Sequence, residues 1–329
     1  MKSIKITKDN ENQRIDKFIK KYFNKAPLSF IYKTFRKKDI KVNGHWVKEN
    51  YILKENDLIE IYVTDKQFEE FNNPKEIENI KYNLDIIYED ENILVLNKPI
   101  GILVVKDENE KNNTLTNYVR AYLLHKKEFK NDGLDFVPSP VHRLDRNTSG
   151  VCIFAKTFLA SKELGEMFKV RDNLEKYYLA LVVGKFKNEK GVINVPLVKN
   201  AKTNLVYVGN KKDGAKEAIT EYEVIVSNSE VSLVKIHLLT GRTHQIRVHL
   251  AYIEHPIVGD TKYGNFTFNK EFYKRYKFEN QFLHSFKIKF GNLEGGLSYL
   301  KNKEFIAELP KKESDILQSM NFNCDVNKL

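Results

Sequence analysis

Cysteine is nearly absent from this chain. Only Cys152 and Cys324 occur in 329 residues. That excludes a disulfide framework and a cluster of thiolate metal ligands, and it fits a reducing cytoplasm. Long apolar runs are missing too. No stretch approaches the ~18 apolar residues of a membrane helix, and the first twenty residues lack a signal-peptide core. The expected protein is soluble and cytoplasmic, with no membrane contact and, by default, monomeric. Acidic residues are outnumbered, 44 against 55 lysines and arginines, for a formal net charge of +11 and a pI near 9.2. A polyanionic partner follows, nucleic acid before acidic membrane. No glycine-rich phosphate loop precedes the His-Arg dipeptide at 142–143, and Leu144 separates it from Asp145, so a kinase catalytic loop is set aside. His244 and His249 are five apart, a poor spacing for metal ligands on one helical face. Neither paired histidines nor a carboxylate cluster supports a metal-dependent nuclease. No metal is expected, and there is no internal repeat.

The densest stretch of chemistry is Pro138 to Phe154. It reads Pro-Ser-Pro-Val-His-Arg-Leu-Asp-Arg-Asn-Thr-Ser-Gly-Val-Cys-Ile-Phe. Pro138 and Pro140 favour extended backbone. Asn147 to Gly150 has turn chemistry, and Val151 to Phe154 is a short apolar run suited to a buried strand. Asp145 therefore sits on a loop feeding a core strand, where rigid scaffolds often hold functional groups. On charge pattern alone, one carboxylate between His142, Arg143 and Arg146 is most simply a surface ion pair worth ~0–1 kcal/mol.

Basic charge is concentrated at the start. The first 50 residues carry 14 lysines and arginines against five acidic residues, most of the chain's surplus. Ile15, Phe18, Ile19 and Tyr22 fall at helical spacing. Pro27 ends that helix, and Ser29 is expected to cap a second one carrying Phe30, Ile31 and Phe35 beside Lys33, Arg36, Lys37 and Lys38. Asp39–Val42 reads as a strand, Asn43-Gly44 as a hairpin turn and Leu58–Val63 as a closing strand. Trp46 and Tyr32 are read as packing the small core, with base stacking as the alternative. The polar segment 66–82, with Asn72, Asn73 and Pro74 near its middle, reads as a linker.

Beyond it, Leu84–Tyr88, Ile93–Pro99, the apolar end of Glu175–Gly184, Ile219–Val226 and Leu233–Leu239 are strand candidates. Leu115, Tyr118, Val119, Tyr122 and Leu123 form one helical face. A helix from Thr157 is expected to bury Phe158, Leu159, Leu164, Met167 and Phe168. Thr243 is expected to cap a helix with Ile246, Leu250 and Ile253 on its buried side and Arg247 one turn in. Tyr178 alone would be a core tyrosine, and residues 266–281, basic and aromatic, would touch the nucleic acid or cover the core.

His142-Arg143-Leu144-Asp145-Arg146-Asn147-Thr148-Ser149-Gly150 resembles the signature of the RluA family of RNA pseudouridine synthases. Further resemblances lie at Asn97-Lys98-Pro99-Ile100-Gly101, at Lys176, Tyr178 and Ala180, at Thr240 to Leu250, at Gly259 to Gly264, at Leu283-His284-Ser285 and at Phe305 to Pro310. Val105 departs from the pattern, which often has histidine there. Residues 1–65, with Arg14-Ile15-Asp16-Lys17-Phe18, the Val42-Asn43-Gly44 turn and Asn56-Asp57, resemble an S-four-like RNA-binding domain, named for a ribosomal protein.

The resemblance implies an α+β chain. Residues 83–329 would form a catalytic domain on a long, curved, mixed and mainly antiparallel sheet flanked by helices, after a small α+β RNA-binding domain at 1–65. It implies site-specific isomerisation of uridine to pseudouridine in structured RNA, most like the bacterial enzymes acting on large-subunit (23S) ribosomal RNA, a reaction that consumes no external group and so needs no cofactor. Asp145 would be catalytic, Tyr178 would lie on the target base and Arg247 would pair with Asp145. A fixed guanidinium orients a carboxylate and favours its charged form. Arg143 would fill the gap left by the flipped nucleotide. His142, Arg146, Lys176, Arg242 and Lys98 are the remaining substrate-contact candidates, and Arg36, Lys37 and Lys38 the candidates for phosphate contact. A non-catalytic RNA-binding or ribosome-assembly factor, or a synthase acting on transfer RNA, are the alternatives.

Overall fold

The computed structural model describes residues 1–71, 75–130, 136–170, 173–200, 202–322, 325 and 328–329. Cys324 and the Asn72-Asn73-Pro74 stretch lie outside the described residues. The chain falls into two compact units. One comprises Met1–Asn83, Thr116–Ser139 and Ala155–Ser161; the other comprises Leu84–Leu115, Pro140–Phe154 and Lys162–Leu329. Among the described residues no helix is long and apolar enough to cross a membrane.

The first unit begins with a strand not foreseen from sequence, Lys2–Lys5, which pairs antiparallel with Leu58–Ile61. Ile40–Val42 pairs with the other edge of that strand and with His45–Trp46, giving a four-stranded antiparallel sheet. Asn43 and Gly44 both have positive φ, 52° and 77°, as the tight hairpin demands. Asn43 also donates to Asp57 Oδ1 (2.8 Å) and accepts from the Leu58 N–H (2.8 Å), so the turn is tied to the neighbouring strand. Helix Ile15–Tyr22 buries Ile15, Phe18, Ile19 and Tyr22, the face its spacing predicts. Helix Leu28–Arg36 buries Ile31 and Phe35 but starts two residues earlier than expected. Pro27 is its N-cap and Ser29 lies inside the first turn, because proline pre-sets the entry angle without needing a donor. The polar segment read as a linker is helical at Asp65–Phe71 and Lys75–Glu78. Phe68 and Phe71 anchor it: Phe68 packs on Tyr22 and Phe23, and Phe71 on Phe30 at 4.5 Å between centroids. Trp46 and Tyr32, read as core residues, are 45% and 42% exposed.

The second unit carries a ten-stranded mixed sheet. Its main path runs Lys190–Asn194, Ile219–Ser227, Val231–Leu238, Leu174–Val183, Leu283–Phe290, Ser149–Ala155, Ile93–Lys98, Ile86–Glu89. Most pairings are antiparallel, while Leu283–Phe290 runs parallel to Ser149–Ala155. Ser149–Ala155 is buried at every position, as expected of a strand covered on both faces. Gly150 is required where these two strands meet. Its φ is +109°, and a Cβ there would lie 2.1 Å from the Ser285 carbonyl oxygen. Val234, Ile236 and Leu238 are buried as their alternation predicts.

Helix Phe158–Val170 departs from its expected face. Ala160 and Leu164 are buried, whereas Phe158 and Leu159 are 42% and 44% exposed. The i, i+4 pair of one small and one medium residue sets the buried line, and the larger pair at the start faces away from it. Residues 266–281 form a helix, Phe266–Tyr276, capped by Asn265, with Phe272 and Phe278 buried and Lys270, Lys274, Arg275 and Lys277 exposed. A last helix, Lys311–Ser319, was not foreseen.

Candidate active site

The loop before strand Ser149–Ala155 presents Asp145, whose backbone carbonyl closes a turn by accepting from the Thr148 N–H (3.1 Å). The loop is pinned from behind by Lys98, at the end of strand Ile93–Lys98. Its ammonium donates to the carbonyls of Pro99 (2.7 Å) and Arg146 (2.9 Å). Lys98 is fully buried, and burial lowers its pKa to about 8. It therefore holds the loop and does not reach into solvent. His142 is likewise engaged within the protein. Its ring stacks on Phe168 at 4.7 Å and 10°, and its Nε2 accepts from the Ile153 N–H (3.2 Å). Burial, helped by the charge of Lys176, holds its pKa down at about 3, so the ring is neutral. Arg143 and Arg146 remain exposed on the same loop, Arg146 with a loose ion pair to Asp107 (3.9 Å).

Across from Asp145 stands helix Gln245–Tyr252, which supplies Arg247. Thr243 does not cap it. His244 occupies the N-cap in the left-handed region, φ 52°, with no side-chain cap bond. The preceding turn is secured by Gln245. Its Oε1 accepts from Thr240 Oγ1 (2.7 Å) and the Arg242 N–H (3.0 Å), and its Nε2 donates to the Ile219 carbonyl (3.0 Å) and Thr220 Oγ1 (2.9 Å). That buried amide satisfies the turn, so no threonine cap is needed. Arg242 is tethered through Nε to the Glu217 carbonyl (2.9 Å).

Arg247 is fixed by two carboxylates. Nε and Nη2 donate to Oδ2 (2.7 Å) and Oδ1 (2.9 Å) of Asp260, and Nη1 donates to Asp145 Oδ2 (2.8 Å). The guanidinium also lies over the Tyr263 ring, 5.2 Å from its centroid. Burial works against the charge on Arg247, but the hydrogen bonds and charge of Asp260, and then Asp145, raise its pKa above the ordinary value. Burial likewise opposes ionisation of Asp260, and Arg247, with the N–H groups of Lys262 and Tyr263, lowers its pKa. Asp260 follows Gly259, where φ is +78° and a Cβ would lie 1.9 Å from the Asn280 carbonyl oxygen, so only glycine fits. The sequence shows this turn and its resemblance to the family pattern but gives Asp260 no role.

Tyr178 and Lys176 share one face of strand Leu174–Val183, and both are buried. Burial first, and the charge of Asp145 further down, raise the Tyr178 phenol to about 12, so it keeps its proton at neutral pH. The Ser285 hydroxyl is near enough to act on that phenol yet lacks a partner at hydrogen-bonding geometry among the described residues. Lys176 Nζ lies 3.9 Å from where a side chain on Gly241 would begin, so it approaches the Gly241-Arg242 turn. Asp145, Arg247 and Tyr178 are thus gathered in one place. Arg36, Lys37 and Lys38 belong to the other unit, where all three are exposed.

The profile of the family described as RNA pseudouridylate synthase matches residues 92–252, which include Asp145, Tyr178 and Arg247. An RNA pseudouridine synthase of Mycoplasma capricolum is 37% identical over 92% of this chain and 95% of its own length. The chain belongs to the RNA pseudouridine synthases. It is an isomerase of uridine in RNA. The synthase is also 34% identical to the ribosomal large subunit pseudouridine synthase C of Vibrio vulnificus, over 87% of each chain. Human RNA pseudouridylate synthase domain containing 4 shares its fold, with a TM-score of 0.57 and 23% identity over 72% of this chain and 93% of that one.

Proposed function

We propose that the synthase converts specific uridines of large-subunit (23S) ribosomal RNA to pseudouridine, with Asp145 as its catalytic residue. The observation that carries the site assignment is the Asp260–Arg247–Asp145 chain of hydrogen bonds, which aims one carboxylate of a half-open loop. The substrate assignment is supported by the likeness to the ribosomal large subunit enzymes named synthase C in Vibrio vulnificus and in Haemophilus influenzae.

In the reaction the bond from ribose C1′ to uracil N1 breaks, the base turns, and a bond from C1′ to C5 forms; C5 loses a proton and N1 gains one. Asp145 adds to C1′ and is later displaced, or it takes a C2′ proton to leave a glycal and returns it; a carboxylate can do either. The uracil must first leave its stack, at a cost of a few kcal/mol. Arg143, exposed beside Asp145, enters the vacated space, and Tyr178 stacks on the base with its phenol protonated. Lys176, Arg242 and Arg146 line the approach. Residues 1–65 act as an S-four-like RNA-binding domain through Arg36, Lys37 and Lys38, and the enzyme works as a cytoplasmic monomer.

The test is pseudouridine mapping of RNA from cells with and without the gene, complemented by wild type or Asp145→Asn. The expected outcome is loss of sites in large-subunit ribosomal RNA, restored by wild type alone. Sites lost in transfer RNA would overturn the substrate, and restoration by Asp145→Asn would sink the role of Asp145.

A further inference from the structure

His244 has a feature that the pairing of Asp145 and Arg247 leaves unused. Its backbone is held at φ 52°, a strained region for a residue with a Cβ, and such strain persists where the surroundings enforce it. The consequence is an imidazole aimed at the reacting carboxylate, with Nε2 3.8 Å from Asp145 Oδ2.

The hydrogen bonds fix which ring nitrogen carries the proton. The Tyr263 phenol oxygen accepts from the Val206 N–H (2.9 Å). Its own hydrogen has His244 Nδ1 as acceptor, 2.8 Å away. Burial raises the Tyr263 pKa, so this phenol retains that hydrogen. Burial also lowers the His244 pKa, reinforced by the charges of Arg247 and Lys262 and opposed by Asp145 and Asp260, which favours a neutral ring. With Nδ1 accepting, the single ring proton sits on Nε2 and points towards Asp145.

A separation of 3.8 Å is too long for a hydrogen bond between the two, yet one oxygen can lie about 2.8 Å from both. That oxygen would accept from the imidazole and donate to the carboxylate, roles that a water fills in the free enzyme and a ribose hydroxyl can take over when RNA is bound. On the functional reading above, Asp145 works at ribose C1′ or C2′, and the hydroxyl nearest those atoms is the 2′-hydroxyl. We propose that His244 and Asp145 together clasp the 2′-hydroxyl of the target nucleotide, with Tyr263 fixing the histidine tautomer, and that this clasp distinguishes ribose from deoxyribose at the target position. His244 is a substrate-binding residue in this scheme, and Tyr263 is a positioning residue. A 2′-hydroxyl is the atom by which proteins separate RNA from DNA at a given site.

The experiment uses the full chain and two RNA fragments bearing the mapped uridine, identical except for ribose or 2′-deoxyribose at that nucleotide. Dissociation constants are measured in the Asp145→Asn background, where turnover does not consume the RNA and the amide oxygen still accepts. With His244 present, loss of the hydroxyl weakens binding about tenfold, the scale of a buried hydrogen bond with its partner left unpaired. In His244→Ala the two RNAs bind within about twofold of each other, and in Tyr263→Phe the difference falls between these limits. A deoxy penalty that His244→Ala leaves intact, or its absence from the parent, overturns the clasp. Should His244→Ala fail to fold, a full penalty in Tyr263→Phe overturns it instead. Pseudouridine formation by the wild-type chain on the ribose fragment is measured alongside. Its absence would sink the reading of the site itself, whereas its presence with an unchanged penalty sinks only the clasp.

Discussion

Arg247 has three donor positions committed before any RNA arrives, two to Asp260 and one to Asp145. The bidentate pair with Asp260 sets the plane of the guanidinium, and that plane fixes where the third donor points. Asp260 thereby orients Asp145 at one remove, without touching a substrate. Asp260 is fully buried, so removing its charge leaves Arg247 partly uncompensated away from water. Loss of one partner from a buried pair costs about 3–5 kcal/mol. Asp260→Asn should therefore lower stability by that order, seen in chemical denaturation. It should also reduce the single-turnover rate roughly 100-fold, as small misplacements of catalytic groups do. RNA affinity should change far less than the rate. An unchanged rate in a folded Asp260→Asn variant would show that Asp145 needs no such brace. The residues that dominate this network illustrate what a sequence displays at this scale. Asp145 and Arg247 stand in dense motifs. Asp260 and Tyr263 reach Arg247 from the next loop along the chain, and nothing local marks that geometry.

Among the elements, periodicity recovered what a single buried face determines. Helix Ile15–Tyr22, helix Leu115–His125 and the strands around Tyr178 fall where their apolar spacing places them. It failed where tertiary contacts choose between two apolar options. Phe158 and Leu159 are apolar but exposed, because the helix packs through Ala160 and Leu164. The supposed linker is helical because two phenylalanines in a polar run find a core to join. The short strands Leu197–Lys199 and Val206–Val208 pair with each other in a sheet of their own, and three residues give no period to read. The unforeseen helix Lys311–Ser319 carries its own test. Glu313 lies in its first turn, where carboxylates usually face water, but here it is buried. Burial raises its pKa from 4.5 to about 7, partly offset by a hydrogen bond to its own backbone. The folded state thus holds a proton that the unfolded chain has already released, and stability is lost as pH rises through that window. Glu313→Gln should stabilise the protein by roughly 2 kcal/mol at pH 8 and by almost nothing at pH 4. Denaturant midpoints at the two pH values measure this, and an equal gain at both would mean that packing, not ionisation, is responsible.

At the scale of the whole molecule, charge is divided unevenly between the parts of the chain. The first unit exposes Lys33, Arg36, Lys37 and Lys38 on and just after one helix, and none of the four forms an ion pair with an acidic side chain among the described residues. Beside them are exposed rings: Tyr32 on the same helix, Trp46 with Lys38 Nζ 5.1 Å from its centroid, and Tyr62 with Lys41 Nζ at 5.2 Å. Cations interleaved with exposed aromatic faces suit a phosphate backbone and unstacked bases together. The second unit holds the proposed catalytic site, whose charges are largely paired internally, Arg247 with two aspartates and Lys98 with carbonyls. Affinity and catalysis should therefore separate by location. Each phosphate that the protein no longer neutralises takes roughly 0.7–0.9 from the slope of log affinity against log salt. Replacing Lys33, Arg36, Lys37 and Lys38 by glutamine should flatten that slope by about 2–3 and weaken binding most at low salt, while the rate at saturating RNA stays close to wild type. Asp145→Asn should do the reverse, abolishing conversion while leaving the slope unchanged. Binding isotherms over a salt series for the two variants decide it. A slope that survives the quadruple replacement would move the electrostatic footprint off this helix and onto other basic surface, such as Lys270, Lys274 and Lys277 on and just after helix Phe266–Tyr276.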